Sequence, residues 1–245
     1  MKKSILALLL GSVLMGSACA ETILVGTDAG LAPFEYKDEK TNEIVGFDID
    51  LIKAVIKANG DEPKIQNMQF AGIIPAIQTN MVDVAACAMT ITPARQKQVN
   101  FSDPYYDVGL AMVIKSKDKN KYKTIKDLEG KRVCAQIGST GSIFAKEIKG
   151  AKVVDFDQVI EAFMDLKYDG CQAAIVGKTV IDHYLARHND KEIMTTPELY
   201  NPKQVGFAVA KSNKKMLNKI NQGLKTIKAN GEYDKIYQKW FGTKH

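Results

Sequence analysis

Two stretches of the chain, Val82-Asp83-Val84-Ala85-Ala86 and Ala173-Ala174-Ile175-Val176, are apolar almost without a break. A strand buried on one face alternates apolar and polar residues. A strand apolar throughout is buried on both faces, as in the parallel sheets of α/β proteins. Ahead of the first stretch, residues 22–26 read as a strand, 49–56 have helical spacing, 65–68 read as a strand and 73–77 begin a short helix. Around the second, residues 131–135 and 153–155 read as strands, and 143–149, 159–168 and 179–188 as helices. Strand and helix in alternation imply an α/β unit with a parallel sheet. Two units of similar size imply two lobes.

The lobes are joined by more than one crossing. Between the units lies Val108-Gly109-Leu110-Ala111-Met112-Val113-Ile114, and a second apolar run, Val205-Gly206-Phe207-Ala208-Val209-Ala210, follows the second unit. Beyond it, Leu217, Ile220, Leu224 and Ile227 share one helical face, and Tyr233, Ile236, Tyr237 and Trp240 form another stripe after Gly231. A terminal helix pair needs a surface to cover, so the chain is expected to return to the first lobe. The expected division is residues 21–107 with 206–245 as one lobe and 108–205 as the other, two crossings making a hinge.

The N-terminus reads as an export signal. Lys2 and Lys3 precede the apolar run 5–16, which ends at Ala18-Cys19-Ala20, a small-x-small cleavage pattern. The run is 12 residues long, too short to span a bilayer. Gly16 stands where a lipid-anchor motif around Cys19 usually has Leu, so residues 1–20 are expected to be removed after Ala20. Loss of Lys2 and Lys3 lowers the formal charge from +6 to +4. That excess is spread over many lysines without interleaved aromatics, which does not suit nucleic acid. Cys87, Cys134 and Cys171 remain, with no CxxC among them; Cys87 and Cys134 lie in apolar runs, so buried thiols are the expectation and pairing stays open.

The densest polar cluster is Ala88-Met89-Thr90-Ile91-Thr92-Pro93-Ala94-Arg95, directly after the 82–87 strand. Thr92 followed by Pro93 marks a helix start. Arg95 then falls in the first turn, where the helix dipole disfavours a cation, at the carboxyl end of a strand, where open α/β sheets bind ligands. A guanidinium fork gripping a carboxylate explains the placement; a salt bridge to Asp103 is the plainer alternative. A second cluster, Gln136-Ile137-Gly138-Ser139-Thr140-Gly141-Ser142, exposes amide N–H groups at another helix start, which suits an anion. Enzyme signatures fail. Gln172 occupies the earlier glycine position that Gly177-Lys178-Thr179 would need for a phosphate loop. His183 and His188 lack a metal-site arrangement and read as surface residues, and no nucleophile signature occurs.

Taken together, Gly26-Thr27-Asp28, Ala32-Pro33-Phe34-Glu35, Val45-Gly46-Phe47-Asp48-Ile49-Asp50, Thr90-Ile91-Thr92-Pro93-Ala94-Arg95, Phe101-Ser102-Asp103-Pro104-Tyr105-Tyr106 and Gly138-Ser139-Thr140-Gly141 resemble the polar amino-acid class of bacterial periplasmic solute-binding proteins. The chain looks most similar to the glutamine-, histidine- and arginine-binding members, from Glu21 to the C-terminus. The resemblance implies an α/β, two-lobed type II binding-protein fold that closes on one amino acid and delivers it to an inner-membrane ABC permease. It implies that Arg95 grips the ligand carboxylate with the N–H groups of Thr90 and Thr140, and that the Ala88 carbonyl and Thr90 hydroxyl face the α-ammonium. Asp28, Leu31, Phe70, Met89 and Gln136 would line the remaining pocket. Relatives usually carry Asp where this chain has Gly177, and often an aromatic lid where it has Leu31. Either another acid such as Asp28 replaces the missing one, or the ligand is not a standard α-amino acid.

The expectation is therefore a monomeric periplasmic receptor for a polar amino acid or related carboxylate, without cofactor, metal or catalytic residues. The rival reading is a cyclohexadienyl dehydratase-like enzyme on the same fold.

Overall fold

The computed structural model describes residues 20–242; the expected signal peptide lies, but for its last residue, outside that range. The first lobe begins with β1 (Thr22–Thr27), then β2 (Gly30–Leu31), β3 (Glu35–Lys37), β4 (Ile44–Val45), α1 (Phe47–Lys57), β5 (Glu62–Asn67), α2 (Phe70–Gln78), β6 (Val84–Ala85), α3 (Pro93–Gln96) and β7 (Val99–Phe101). The chain crosses into β8 (Tyr106–Lys115), β9 (Arg132–Gln136), α4 (Thr140–Glu147), β10 (Lys152–Phe156), α5 (Val159–Lys167), β11 (Ala173–Gly177), α6 (Lys178–His188) and β12 (Ile193–Val205). It returns through β13 (Ala208–Ala210), α7 (Lys214–Ala229) and α8 (Glu232–Phe241).

Two five-stranded sheets result, ordered β5-β1-β6-β13-β7 and β10-β9-β11-β8-β12. In each, three strands pair in parallel, the fourth pairs antiparallel with both its neighbours, and the edge strand beyond it runs with the trio. The apolar runs behave as their composition requires. Val84 and Ala86 face one core cluster while Ala85 and Cys87 face another, so both faces of β6 are covered. Val113 and Leu110 divide β8 between two clusters in the same way.

The C-terminal stripes pack as expected: Ile220, Leu224 and Ile227 of α7 share a core cluster with Leu51, Ile52 and Val55 of α1. The ring of Phe241 on α8 lies 4.9 Å from that of Phe47, centroid to centroid.

Three local differences from the sequence reading have physical causes. The single run read over 205–210 is divided, because β12 ends at Val205 and Gly206-Phe207 carries the crossover to β13. The segment read as a loop over 27–34 contributes β2 to a small antiparallel sheet with β3 and β4, elements of two or three residues that are too short to show a period. The expectation of buried thiols holds only for Cys87: Cys134 and Cys171 form a disulfide with Cα atoms 6.0 Å apart. They sit on adjacent strands, one on β9 and one just before β11, a proximity set by sheet order.

Candidate functional site

β6 leads through Cys87 into Ala88, whose left-handed backbone (φ 46°) turns the chain sharply. The turn lets the Ala88 N–H donate to Asp48 Oδ2 at 2.7 Å. Four residues on, Thr92 caps α3 by accepting the Arg95 N–H at 3.2 Å, with Pro93 at the first helical position. The cap is as the sequence implies, and it sends the Arg95 side chain into the gap between the lobes.

Arg95 as a residue is 6% exposed, and its guanidinium has no carboxylate partner among the described residues. Nη1 donates to the Thr90 carbonyl at 2.9 Å, and Nη2 crosses to the Gly138 carbonyl of the second lobe at 3.0 Å. Its face lies 5.2 Å from the Phe70 ring centroid. Burial pulls the Arg95 pKa below the usual arginine value, a sign of how costly an unmatched cation is there. The alternative of a salt bridge to Asp103 is not realised; the Asp103 N–H is bound by Asn221 on α7.

The second lobe answers with a loop rather than a charge. β9 ends at Gln136, and α4 starts at Thr140 under the Ser139 cap, whose Oγ accepts the Ser142 N–H at 3.1 Å. Thr140 Oγ1 stands 3.5 Å from Thr90 Oγ1 across the gap. A helix N-terminus thus faces the guanidinium, so positive charge and unsatisfied N–H donors converge on one space. That space is a cleft with mostly apolar walls.

Eight residues singled out in the sequence meet around it: Leu31, Phe70, Ala88, Thr90, Arg95, Gln136, Thr140 and Gly177. Met89 does not. Met89 is 1% exposed and packs in the first lobe's core with Ile73 and Ile77, turned there past the left-handed backbone at Ala88. Asp28 sits behind the wall, tied to the second lobe: Gln136 Nε2 donates to Oδ2 at 2.6 Å and Gln158 Nε2 to Oδ1 at 2.9 Å. Burial raises its pKa while those two amides pull it back. Gln69 Nε2 and Asp157 Oδ2, 2.9 Å apart, make a further bond between the lobes.

Gln158, Gln69 and Asp157 were not singled out in the sequence. Gln158 shows there only as a helix cap, with Glu161 three residues on. Of the two histidines read as surface groups, His188 is exposed, but His183 is half-buried and its Nε2 has no partner. The Cys134, Asp165 and Cys171 grouping is not a metal centre, since both sulfurs are spent in the disulfide.

A two-lobed α/β fold with a positively charged interlobe cleft defines a class, the binding proteins that enclose a small solute between hinged lobes. Residues 23–243 match the model of the bacterial extracellular solute-binding proteins, family 3, and the chain belongs to that family. It is 39% identical over 246 residues to an Escherichia coli protein named ABC transporter arginine-binding protein 1, covering 98% of this chain and 99% of that one. Among solved structures, an ancestral arginine-binding protein bound to glutamine superposes with a TM-score of 0.86 at 42% identity, over 92% of this chain and 100% of that one. An ancestral amino acid-binding protein described as a precursor of cyclohexadienyl dehydratase matches with a TM-score of 0.82 at 38% identity, over 90% and 95%.

Proposed function

We propose that this protein is the solute-binding component of an ABC-type amino-acid importer, working outside the cytoplasmic membrane, in the periplasm, as a single copy. It encloses one small carboxylate of the amino-acid class by closing two lobes about crossings near residues 107–108 and 205–206. One observation carries the reading: the Arg95 guanidinium is buried at the lobe interface with only neutral oxygens as partners. A carboxylate meeting its fork would replace weak carbonyl contacts with two charge-assisted bonds, each worth about 1.5–3 kcal/mol. Thr140 at the start of α4 would add N–H donors from the other lobe, so the ligand itself bridges the gap. Closure then excludes water and strengthens every ionic contact inside.

In this reading Leu31, Phe70, Gln136 and Gly177 shape the pocket around the ligand body, the Thr90 N–H helps Arg95 hold the carboxylate, and the Ala88 carbonyl and Thr90 hydroxyl face the α-ammonium. The relatives named as transporter binding proteins support a carrier role rather than bond-making chemistry. The dehydratase reading draws on one solved neighbour, and product formation from prephenate or arogenate would establish it instead.

A thermal-shift screen against amino acids and small organic acids tests the proposal, because a ligand at a hundred times its Kd stabilises by about 2.7 kcal/mol. Arg95→Ala is expected to abolish the shift, and Arg95→Lys to keep part of it, because the charge survives without the fork. Full affinity in both variants would move the site elsewhere.

A further inference from the structure

We infer that Asp48 is a positioning residue for the ligand's α-ammonium, acting from behind the cleft wall through Ala88, so that the wall itself needs no acid. The inference rests on the reading above, in which the Ala88 carbonyl faces that ammonium, and it names the charge that balances it. None of the described residues that wall the cleft is an aspartate or glutamate. Asp28, Glu35 and Asp48 lie behind it: Glu35 follows the wall residue Phe34, and all three act electrostatically on the wall residue Cys87.

Two of the three acids are accounted for. Both oxygens of Asp28 accept glutamine amides from the second lobe. Glu35 is fully buried, and neither oxygen has a hydrogen-bond partner among the described residues. Burial and the neighbouring Asp48 and Asp28 push its pKa well above the usual carboxylate range, so it holds its proton.

Asp48 remains. It lies fully buried in the first turn of α1. Its Oδ2 accepts the Ala88 N–H at 2.7 Å and the Tyr105 hydroxyl at 2.5 Å, while Oδ1 is buried with no partner among the described residues. An asparagine would accept the same two bonds without burying an ionisable group, so the bonds alone do not explain the acid. No lysine or arginine among the described residues pairs with it. The titratable groups facing it are Glu35 on β3, Cys87 after β6 and Tyr105 ahead of β8, and none is a cation. The cleft beyond Ala88 offers a cation a place. The bond to Asp48 also holds Ala88 at φ 46°, a conformation alanine rarely adopts, so acid and carbonyl are tied to one turn. Burial lifts the Asp48 pKa to about 7 against its two bonds, so near neutral pH the carboxyl is half protonated. An ammonium arriving beyond Ala88 favours the ionised form, and the proton leaves to solvent.

Gly177 provides the control. It lines the cleft and caps α6 with φ −59° and ψ 130°, which suit any residue, and a Cβ there meets only Val180 Cγ2, at 3.7 Å. An aspartate at this position can supply the charge from the wall itself.

Calorimetric titration of the purified protein with each of the twenty standard amino acids, at pH 7 in two buffers of different ionisation enthalpy, tests this. The tightest of them is expected to release about half a proton on binding, the share that Asp48 holds at that pH. Asp48→Asn keeps both acceptor bonds; it is expected to abolish the release and to weaken that ligand about tenfold. Gly177→Asp added to Asp48→Asn is expected to restore most of the affinity, which a merely structural defect would not allow. Tyr105→Phe removes a donor from Asp48, so its release is expected to peak at higher pH, a readout that stands even if Asp48→Asn does not fold. No release in the wild type, an unmoved peak in Tyr105→Phe, undiminished affinity in Asp48→Asn, or a loss that Gly177→Asp leaves in place each overturns the inference. In every such case, binding that is lost in Arg95→Ala leaves the proposed function standing. Binding by none of the twenty overturns the inference and the proposed function together.

Discussion

The two lobes share one strand order yet are held together and charged by different means. In each sheet the second strand of the parallel trio lies outside the first and the third lies inside, and one antiparallel strand with an edge strand running with the trio completes the layer. The first lobe is drawn from two separate stretches of chain and buries carboxyl groups, Glu35 and Asp48, at 0% exposure. The second is one continuous stretch, stapled by Cys134–Cys171 across neighbouring strands. At the cleft, the first lobe supplies the cation and the second supplies backbone dipoles at the start of α4. Among the described residues, no ion pair between the lobes competes at Arg95 with an incoming anion.

The largest expected effect separates the lobes by their staples. Removing the disulfide, as Cys134→Ala with Cys171→Ala, frees a loop of 37 residues' separation and is expected to destabilise the second lobe by roughly 4 kcal/mol. The sole tryptophan, Trp240, lies on α8 of the first lobe, where its Nε1 donates to Asp50 at 2.8 Å. Urea unfolding followed by far-UV circular dichroism should therefore shift to lower concentration while tryptophan fluorescence shifts less. Coincident shifts would mean that the lobes unfold as one unit and the contrast is not energetic.

Next comes the buried acid of the first lobe. Asp48 ionises near 3.8 in the unfolded chain, but burial raises it to about 7 in the fold, against the pull of the Tyr105 and Ala88 hydrogen bonds. The folded state thus holds the proton more tightly. The stabilisation is complete below about pH 4 and lost as pH rises through 7, by at most about 4 kcal/mol. The fluorescence melting temperature should fall between pH 5 and pH 8, and Asp48→Asn should flatten that slope. A slope equally steep in the variant would assign the effect to other groups.

The smallest effect concerns the bond between the lobes. A Cβ at Gly30 would lie 1.7 Å from Gln158 Oε1, the far end of a flexible side chain. Gly30→Ala should therefore cost little stability while displacing Gln158 from Asp28. Losing part of one bond to a carboxylate weakens closure by about 1 kcal/mol, a several-fold drop in ligand affinity. An affinity equal to the wild type's would show that Gln158 plays no part in holding the lobes shut.

Much of this was legible before any coordinates because it is local. The strand identity of 82–86 and 173–176, the Thr92 cap and the stripes on α7 and α8 all follow from neighbours within one or two turns of chain. Arg95 stood out for the same reason, as a cation at a helix start. Met89 was misread because a motif position carries no direction; only its place in the core with Ile73 and Ile77 of α2 shows that it turns inward. Gln158 escaped notice because it reaches Asp28 across 130 residues of sequence.

By itself, then, the amino-acid order determined the alternation of elements, the doubled α/β plan and the residue most suited to grip an anion. Each of these depends on periodicity, capping and side-chain chemistry within short windows. Which cysteines pair, which acids are tied up behind the cleft and which polar groups face each other across it were decided by the tertiary structure alone. Those outcomes depend on sheet order and lobe approach, which bring together residues tens to more than a hundred positions apart.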